Sequence, residues 1–325
     1  MTSSQTSTSS VENLRAVLRV CARSTKANEI FADLAERDVR DIVAQWPLWA
    51  RPDQTPPTGD WTTWLILGGR GAGKTRAGAE WVRAAALGQD GVARAGRIAL
   101  VGETYADLRE VMIDGESGLR GIHPHGERPA YEPTRKRLVW PNGAIAHGFS
   151  AEDPEALRGP QFDAAWCDEI AKWRHGQETW DMLQFGLRLG HRPRQVATTT
   201  PRAVPLVKRL LADPATAVTR AATRDNAFNL APGFLQMVVG AYAGTRLGRQ
   251  ELDGELLEDR DDGLWTREAI ERSRVFAAPE LTRVVVAVDP PAGGRRSDAC
   301  GLVAVALGVD GKAYVLADET LQASR

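Results

Sequence analysis

The chain has 325 residues, of which 43% are hydrophobic and 26% are charged, and its formal net charge is −1. That length suffices for one large domain or two smaller ones, each with its own core. The near-zero net charge does not indicate a nucleic-acid-binding protein, although it does not exclude local basic patches on the surface. The three cysteines, Cys21, Cys167 and Cys300, have no paired spacing, which argues against disulfides and a zinc site and fits a reducing cytosol.

The N-terminal part of the chain changes character twice. Residues 1–10 are polar and of low complexity, which predicts a disordered tail rather than a secretory signal. Residues 11–50 contain two stretches with helical spacing of apolar side chains, Val11–Thr25 and Ala27–Trp46, and these predict a small helical region. No apolar run approaches the roughly 18 residues that span a bilayer, so we expect no membrane segment.

Residues 51–257 alternate between short apolar runs and longer helical or loop segments. The runs rich in β-favouring residues are WLIL, RIALVG, AIAHGFS, AAWC and RQVATT. Strands that alternate with helices predict an α/β domain with a mainly parallel sheet and helices on both faces. A polar helical region, Phe234–Leu257, closes this domain.

The run GGRGAGKT fits the pattern G-x-x-x-x-G-K-[ST] of a phosphate-binding loop, or P-loop. It follows the strand WLIL and precedes the helical run RAGAEWVRAAAL, which is the context that this motif requires. Backbone N–H groups and the helix N-terminus would hold phosphates, Lys74 would reach the β- and γ-phosphates, and Thr75 would ligate Mg²⁺. The predicted nucleotide-binding residues are Gly68, Gly69, Arg70, Gly71, Ala72, Gly73, Lys74 and Thr75.

Two carboxylates end the apolar run AAWC. Asp168 would hold Mg²⁺ through water, and Glu169 would act as general base toward the attacking water. The alternative is a solvated acid pair that opens a helix, where acids are favoured in any case. Thr198, Thr199 and Thr200 end the β-like run in VATTTP, Val196–Pro201, where a polar residue can sense the γ-phosphate, although threonine is also common at strand ends for packing reasons.

Two arginines compete for the role of stabilising charge on the transferred phosphate. Arg70 lies inside the P-loop, and Arg158 precedes Asp168 by ten positions in the sequence. An ordinary surface ion pair remains the alternative for either. His123 and His125 have a spacing found in some metal sites, but no cysteine or acidic partner lies near them in the sequence, so we do not assign them a metal.

The acidic run EDRDDG begins a predicted linker, residues 258–280. Strand-like runs then return in residues 281–325. The first of them, VVVAVD, ends in Asp289.

Several ordered blocks of the chain resemble the large terminase subunits of tailed bacteriophages and gene transfer agents. The blocks are RPDQTPPTGDWTTWLILGGRGAGKTRAGAEW, ALRGPQFDAAWCDEIAKW, TTTPRAVPLVKRLL and GTRLGRQELDGELL. The resemblance implies a RecA-like ATPase domain followed by a nuclease domain of the RNase H type. It implies an ATP-driven motor that packs double-stranded DNA into a procapsid, in the cytoplasm of a bacterial host. The implied partners are a portal, a small terminase subunit and further copies of the chain in a ring.

The same resemblance assigns roles to individual residues. Gln54 resembles the residue that reads adenine ahead of the P-loop, and Thr198–Thr200 resemble the motif that couples hydrolysis to movement. Arg158 resembles an arginine that reaches the nucleotide of a neighbouring subunit. Asp289 matches the first acid that would hold Mg²⁺ or Mn²⁺ in the nuclease, whereas Asp298 and Asp318 are present without a firm assignment.

RNase H-type chemistry needs several carboxylates around two metals. We therefore expect residues 281–325 to supply only the first strands of the nuclease and the chain to cut no DNA. The sequence leaves two alternatives to the packaging motor. One is another P-loop ATPase acting on nucleic acid, such as a helicase, and the other is an inactive prophage remnant.

Overall fold

The computed structural model describes residues 35, 42, 44–124, 126–242, 245–257, 270, 272–275, 277–290 and 300–321. The chain divides into two compact units, Met1–Glu258 and Asp259–Arg325. The predicted tail and the first predicted helix lie outside the described residues, as do most of the second helix, His125, much of the predicted linker, and Asp298.

The first unit is built on an eight-stranded sheet with the spatial order β3-β4-β5-β2-β6-β7-β1-β8. The strands are β1 (Thr63–Gly68), β2 (Arg97–Gly102), β3 (Ala130–Glu132), β4 (Arg137–Val139), β5 (Ile145–Ser150), β6 (Ala164–Cys167), β7 (Arg194–Thr199) and β8 (Thr216–Ala221). Neighbours from β5 to β8 pair in parallel, and only β3 and β4 add antiparallel pairs at one edge. The predicted α/β fold with a mainly parallel sheet is therefore confirmed.

Helices and short turns connect the strands of this sheet. The α-helices are α1 (Trp46–Trp49), α2 (Lys74–Leu87), α3 (Tyr105–Asp107), α4 (Leu119–Ile122), α5 (Gly176–Gly186), α6 (Pro205–Ala212), α7 (Pro232–Tyr242) and α8 (Arg246–Glu251). A π-helical stretch, Leu108–Ile113, continues α3. Helices α7 and α8 fall in the region that was predicted to be helical.

Apolar side chains of the strands alternate between two buried clusters, one on each face of the sheet. On β1, Trp64 and Ile66 belong to the cluster that contains α2, whereas Leu65 and Leu67 belong to the cluster that contains residues of α5 and α6. A strand places successive side chains on opposite faces, so continuous apolar runs are what a doubly covered sheet requires. The prediction of helices on both faces is confirmed.

Helix α2 lies unusually close to the sheet at Gly78. A Cβ atom on Gly78 would lie 2.5 Å from Cε2 of Trp166, the fully buried tryptophan of β6. Glycine is therefore needed here for the approach of a helix to an indole ring and not for a turn. This close approach fixes α2, and with it the loop that precedes α2, against the strand that leads to Asp168.

Three strands were missed in the sequence. Strand β8 carries polar and partly exposed side chains, as does the short hairpin of β3 and β4 at the other edge. Edge strands need less apolar surface than central ones, so the apolar runs that marked the other strands are lacking.

The second unit contains a three-stranded antiparallel sheet with the order β11-β10-β9. Its strands are β9 (Leu281–Asp289), β10 (Gly301–Gly308) and β11 (Ala313–Asp318), at the positions where the apolar runs predicted them. Asp289 is the last residue of β9 and pairs with Gly301 at the start of β10.

Candidate nucleotide-binding and catalytic site

A cleft of about 1150 Å³ opens in the first unit, and residues that follow β1, β2, β6 and β7 line it. In an open α/β sheet, ligands bind in the crevice outside the carboxyl ends of the parallel strands. Residues of the predicted site that line this cleft are Gln54, Arg70, Gly71, Gly73, Lys74, Thr75, Asp168, Glu169 and Thr200. The structure thus brings the P-loop, the acid pair and the end of the threonine run to one place.

The P-loop connects β1 directly to α2. Strand β1 ends at Gly68, and α2 begins at Lys74, so that Thr75 lies in the first helical turn. Gly73 has a φ of 85°, in the left-handed region that residues with a side chain avoid, and a Cβ there would collide with the amide nitrogen of Gln54. The second glycine of the motif is therefore required for the turn into the helix.

The ammonium group of Lys74 lies at the centre of the site. Its Nζ donates to the carbonyl oxygens of Gly68 at 3.0 Å and Gly69 at 3.1 Å, and to Oγ1 of Thr200 at 3.2 Å. It also lies 3.4 Å from Oε1 of Glu169. Only 7% of this side chain is exposed, so the charge depends on these partners rather than on water.

Asp168 is the buried member of the acid pair. Its Oδ1 accepts a hydrogen bond from Oγ1 of Thr198 at 2.5 Å. Burial of the carboxyl group, and next the negative charge of Glu169, raise the pKa of Asp168 to about 7, while the bond from Thr198 and the charges of Lys74 and Lys172 act less strongly in the opposite direction. A carboxyl group held in this way is converted to its charged form by a nearby cation.

Glu169 has a backbone conformation that is rare for a residue with a side chain. Its φ is 51° and its ψ is 46°, in the left-handed region, which costs about 1–2 kcal/mol. The turn directs Oε1 toward Lys74, and Oε2 accepts a hydrogen bond from the backbone N–H of Thr200 at 3.2 Å. Such outliers cluster at functional sites, where surrounding contacts maintain them.

The three threonines at the end of β7 each make a different contact. Thr198 donates to Asp168, Thr199 accepts from the N–H of Ala171 at 3.1 Å, and Thr200 contacts both Lys74 and Glu169. All three are buried. Because β7 lies between β1 and β6 in the sheet, its end is the natural bridge from the P-loop to the acid pair.

Gln54 ends a short 3₁₀ turn, Pro52–Gln54, beside the P-loop. Its Oε1 accepts from the N–H of Arg51 at 3.2 Å, and its Nε2 donates to the carbonyl oxygen of Gly73 at 3.2 Å. Gln54 is 6% exposed and lines the cleft. The contacts tie it to the P-loop, and its role in reading adenine stays a prediction.

The two candidate arginines lie in different places. Arg70 lines the cleft, with its Nε 3.7 Å from Oε2 of Glu251. Arg158 follows the 3₁₀ turn Pro154–Leu157, pairs with Glu155 at 3.1 Å, and is not among the residues that line the cleft of its own chain. Its side chain is 69% exposed and is therefore accessible to another molecule.

Sequence reasoning missed several polar residues of the cleft. Lys172 and Arg202 line it, and among the described residues neither side chain has an acidic ion-pair partner. Arg51 and Asn226 also line it and contact the P-loop from outside. Lys172 and Arg202 could have been found from their positions just after Asp168 and Thr200, whereas Asn226 follows the unrecognised strand β8.

The remaining candidates lie apart from this cleft. His123 is buried, with its Nδ1 against the carbonyl oxygen of Leu119 and its Nε2 accepting from the indole N–H of Trp140 at 2.9 Å. Asp289 and Asp318 end exposed strands of the second unit. Within the described residues, no group of three or more His, Cys, Asp or Glu side chains is placed to hold a metal ion.

A glycine-rich loop between β1 and α2, in a mainly parallel sheet with an acid pair directly after β6, is typical of P-loop α/β proteins. The chain belongs to the family described as terminase large subunit, T4likevirus-type, N-terminal, whose sequence model matches residues 65–272. No curated protein matches the chain.

Solved structures of large terminases resemble this chain. The large terminase from a thermophilic bacteriophage matches with a TM-score of 0.50 at 14% identity, covering 88% of this chain and 68% of that one. A further crystal form of the same terminase, in complex with ATP-gamma-S, gives a TM-score of 0.50 at 14% identity, covering 86% and 67%. The ATPase domain of the Thermus phage P74-26 large terminase gives 0.49 at 15% identity, covering 72% and 98%. At such identities the likeness to the first two structures shows the fold, which is RecA-like.

No helix within the described residues is both long and apolar enough to span a membrane.

Proposed function

We propose that this chain is the ATP-hydrolysing motor subunit that moves double-stranded DNA into a procapsid. The observation that carries the proposal is the cluster in which Lys74, Glu169 and Thr200 meet at the P-loop. It combines a phosphate-binding cation, a carboxylate that can accept a proton, and a residue that contacts the cation through its hydroxyl group and the carboxylate through its backbone N–H. Membership of the terminase family supports DNA packaging as the process that hydrolysis drives.

The first step is the binding of the nucleotide's phosphates. Within the described residues, the N–H groups of Gly71, Gly73, Lys74 and Thr75 have no acceptor. They stand at the N-terminus of the fourteen-residue helix α2, where the helix dipole favours negative charge. Lys74 exchanges contacts with loop carbonyls for contacts with the β- and γ-phosphates. Gln54, which is bonded to the loop at Gly73, is the proposed contact for adenine.

Thr75 and Asp168 suit a magnesium ion because they present a hydroxyl and a carboxylate oxygen to one cleft, and Mg²⁺ prefers oxygen ligands. The carboxyl of Asp168 is buried, and a nearby cation would stabilise its charged form. When bound, the ion would neutralise part of the negative charge on the phosphate oxygens.

In the chemical step the oxygen of a water molecule attacks the γ-phosphorus, and the bond from that phosphorus to the bridging oxygen breaks. ADP leaves with the electron pair of that bond. Glu169 accepts the proton of the attacking water, since its carboxylate is held by Thr200 at the edge of the cleft. An arginine stabilises the charge, either Arg158 of a neighbouring subunit or Arg70 of the same chain.

The threonine run at the end of β7 couples this chemistry to movement. Thr198 contacts Asp168, and Thr200 contacts Lys74 and Glu169, so a change at the γ-phosphate displaces the end of one central strand. We propose a ring of such subunits on the portal, with a small terminase subunit as further partner, acting in the cytoplasm of the bacterial host and transiently on the procapsid.

The proposal is tested with the purified full chain. ATP hydrolysis is measured with Mg²⁺, with EDTA, and with double-stranded DNA and procapsids present. We expect hydrolysis that needs Mg²⁺ and DNA protected from nuclease inside procapsids. A chain that binds and hydrolyses no ATP under any of these conditions would favour the inactive remnant, and duplex unwinding without packaging would favour the helicase-like alternative.

We also propose that residues 51–257 are the ATPase domain, that residues 258–280 are a linker, and that residues 281–325 hold the first strands of an RNase H-like nuclease domain. We propose Asp289, the last residue of β9, as one of its acids, with Mg²⁺ or Mn²⁺. Plasmid cleavage by this chain and by Asp289→Ala tests the nuclease. Cleavage by this chain that is lost in Asp289→Ala would assign a nuclease role to this acid. A first proteolytic cut within 258–280 supports the domain division.

A further inference from the structure

Four consecutive carbonyl oxygens of the P-loop each accept a hydrogen bond from a side chain of another part of the chain. Thr223 Oγ1 donates to the oxygen of Arg70 at 2.7 Å, and Asn226 Nδ2 donates to that of Gly71 at 2.8 Å. Arg51 Nη2 donates to the oxygen of Ala72 at 2.7 Å, and Gln54 Nε2 donates to that of Gly73 at 3.2 Å. Each of these four carbonyl oxygens thus has a side-chain partner.

Fixing a carbonyl also fixes an N–H group. A trans peptide is planar, and its C=O and the following N–H point in opposite directions. The bond from Thr223 to the oxygen of Arg70 therefore aims the N–H of Gly71, and the bond from Arg51 to the oxygen of Ala72 aims the N–H of Gly73. These are two of the N–H groups that have no acceptor within the described residues.

Asn226 holds Arg51 as well as the loop. Its Oδ1 accepts from Arg51 Nη1 at 3.0 Å, while its Nδ2 donates to Gly71. Asp53 accepts two further bonds from the same guanidinium, at 3.1 Å and 2.9 Å. The arginine is therefore committed to the loop and is not available to a phosphate. It comes from before β1, whereas Thr223 and Asn226 come from the 3₁₀ segment Thr223–Asn229 after β8.

We infer that Arg51, Thr223 and Asn226 are positioning residues for phosphate binding, which hold carbonyl oxygens of the P-loop so that the N–H groups of the following residues keep one orientation and stay free for phosphate. The inference rests on the proposed ATPase function and deepens it. These residues act through the loop, so their substitution should weaken the binding of ATP and of an inorganic polyphosphate by the same factor. A residue that reads adenine affects only nucleotides that carry this base.

The test uses the full chain with three variants. Thr223→Val keeps the side-chain shape and removes one donor. Arg51→Lys keeps the positive charge but loses the planar guanidinium group that bonds to Ala72 and Asn226. Asn226→Asp keeps the oxygen that accepts from Arg51 but replaces the Nδ2 donor to Gly71 by a second oxygen. The matched control is Arg224→Ala in the same segment, whose exposed side chain pairs with Asp253 and makes no bond to the loop. Displacement of a fluorescent ATP analogue by ATP and by inorganic tripolyphosphate gives the affinities.

We expect each of the three variants to bind ATP and tripolyphosphate more weakly by the same factor, about three- to tenfold, as for the loss of one hydrogen bond. The KM for ATP should rise while kcat changes less than twofold, because ground state and transition state lose the same contact. The control should bind like the wild type.

Wild-type affinity for tripolyphosphate in Thr223→Val and Arg51→Lys, with intact folding by circular dichroism, would overturn the inference. So would a lowered melting temperature without any change in polyphosphate affinity, since that indicates a merely structural role. If one variant does not fold, the others decide. Failure of the wild-type chain itself to bind either ligand would instead overturn the proposed function.

Discussion

The ammonium nitrogen of Lys74 lies 3.4 Å from Oε1 of Glu169, although the two residues follow strands that are not neighbours in the sheet. Strand β7 lies between them and contributes Thr200 to the same contact. Lys74, the cation of the P-loop, and Glu169, the proposed general base, are therefore in direct contact. Substitution of either residue removes the main charged partner of the other.

We predict that Lys74→Ala abolishes ATP hydrolysis while the fold survives. The substitution removes the cation that reaches the β- and γ-phosphates, and because Lys74 lines the cleft, water can enter the space that its side chain leaves. Steady-state hydrolysis and circular dichroism measure the two effects. Lys312→Ala, at an exposed lysine of the second unit, is the control. Unchanged turnover in Lys74→Ala would refute the P-loop assignment.

The two members of the acid pair should respond differently to loss of charge. Glu169→Gln keeps an oxygen that can accept from Thr200, so we expect nearly intact ATP binding and hydrolysis slowed by about 100-fold or more, as for loss of a general base. Asp168→Asn should instead weaken Mg²⁺-dependent nucleotide binding. Titration of a fluorescent nucleotide with and without Mg²⁺ separates the two effects. Identical behaviour of the two variants would show that the division of roles is wrong.

Arg158 should act between subunits. Its side chain is exposed and not part of the lining of its own cleft, so it is suited to reach the nucleotide of a neighbour. Hydrolysis per subunit should rise with protein concentration or on assembly at a procapsid. Mixing Arg158→Ala with Lys74→Ala should restore part of the activity, because each chain supplies what the other lacks.

The mixing experiment needs proof of assembly, for example by light scattering. If assembled mixtures recover no activity, Arg70 becomes the better candidate for stabilising charge, with Arg202 as the next residue of the cleft to test.

Gly78→Ala should destabilise the first unit. Alanine gains about 1 kcal/mol in helix propensity over glycine, but its Cβ would overlap the buried ring of Trp166, and overpacking costs about 1–3 kcal/mol. We expect a net loss of stability in denaturant unfolding. Gly240→Ala is the control, since a Cβ there meets nothing within 4 Å in α7 and should be neutral or stabilising. Equal effects of the two substitutions would contradict the close packing of α2 on β6.

The chain should lose stability in mild acid through His123. Burial lowers the pKa of His123 from 6.5 to about 4, against a smaller opposing effect of its bond to Leu119. The unfolded chain then binds more protons than the folded one between these pH values. Stability from this group is present above pH 6.5 and falls as the pH drops to about 4, by about 3 kcal/mol in total.

Denaturant unfolding at several pH values checks this dependence in the wild type and in His123→Gln, with His175→Gln at an exposed histidine as control. The His123 variant should show the smaller loss between pH 6.5 and 4. An equal loss in both variants would assign the acid sensitivity to other groups.

Short stretches of the sequence were enough to predict those parts of the site whose backbone conformation depends on residues close to them in the chain. The motif GGRGAGKT predicted the loop between β1 and α2, and the run AAWC predicted the strand that leads to Asp168 and Glu169. Both signals are local, because glycines and apolar runs fix backbone conformation within a few residues. The five central strands were predicted for the same reason, whereas the partly polar edge strand β8 and the β3–β4 hairpin at the other edge were not.

Only the tertiary structure decided which residues meet. It placed β7 between β1 and β6, so that Thr200 contacts both Lys74 and Glu169. It also brought Thr223 and Asn226 to carbonyl oxygens of the P-loop across 153 and 155 positions of sequence. A carbonyl oxygen accepts from any donor in the right place, so such a contact leaves no mark in the sequence. The order of the strands decides it, and no local pattern encodes that order.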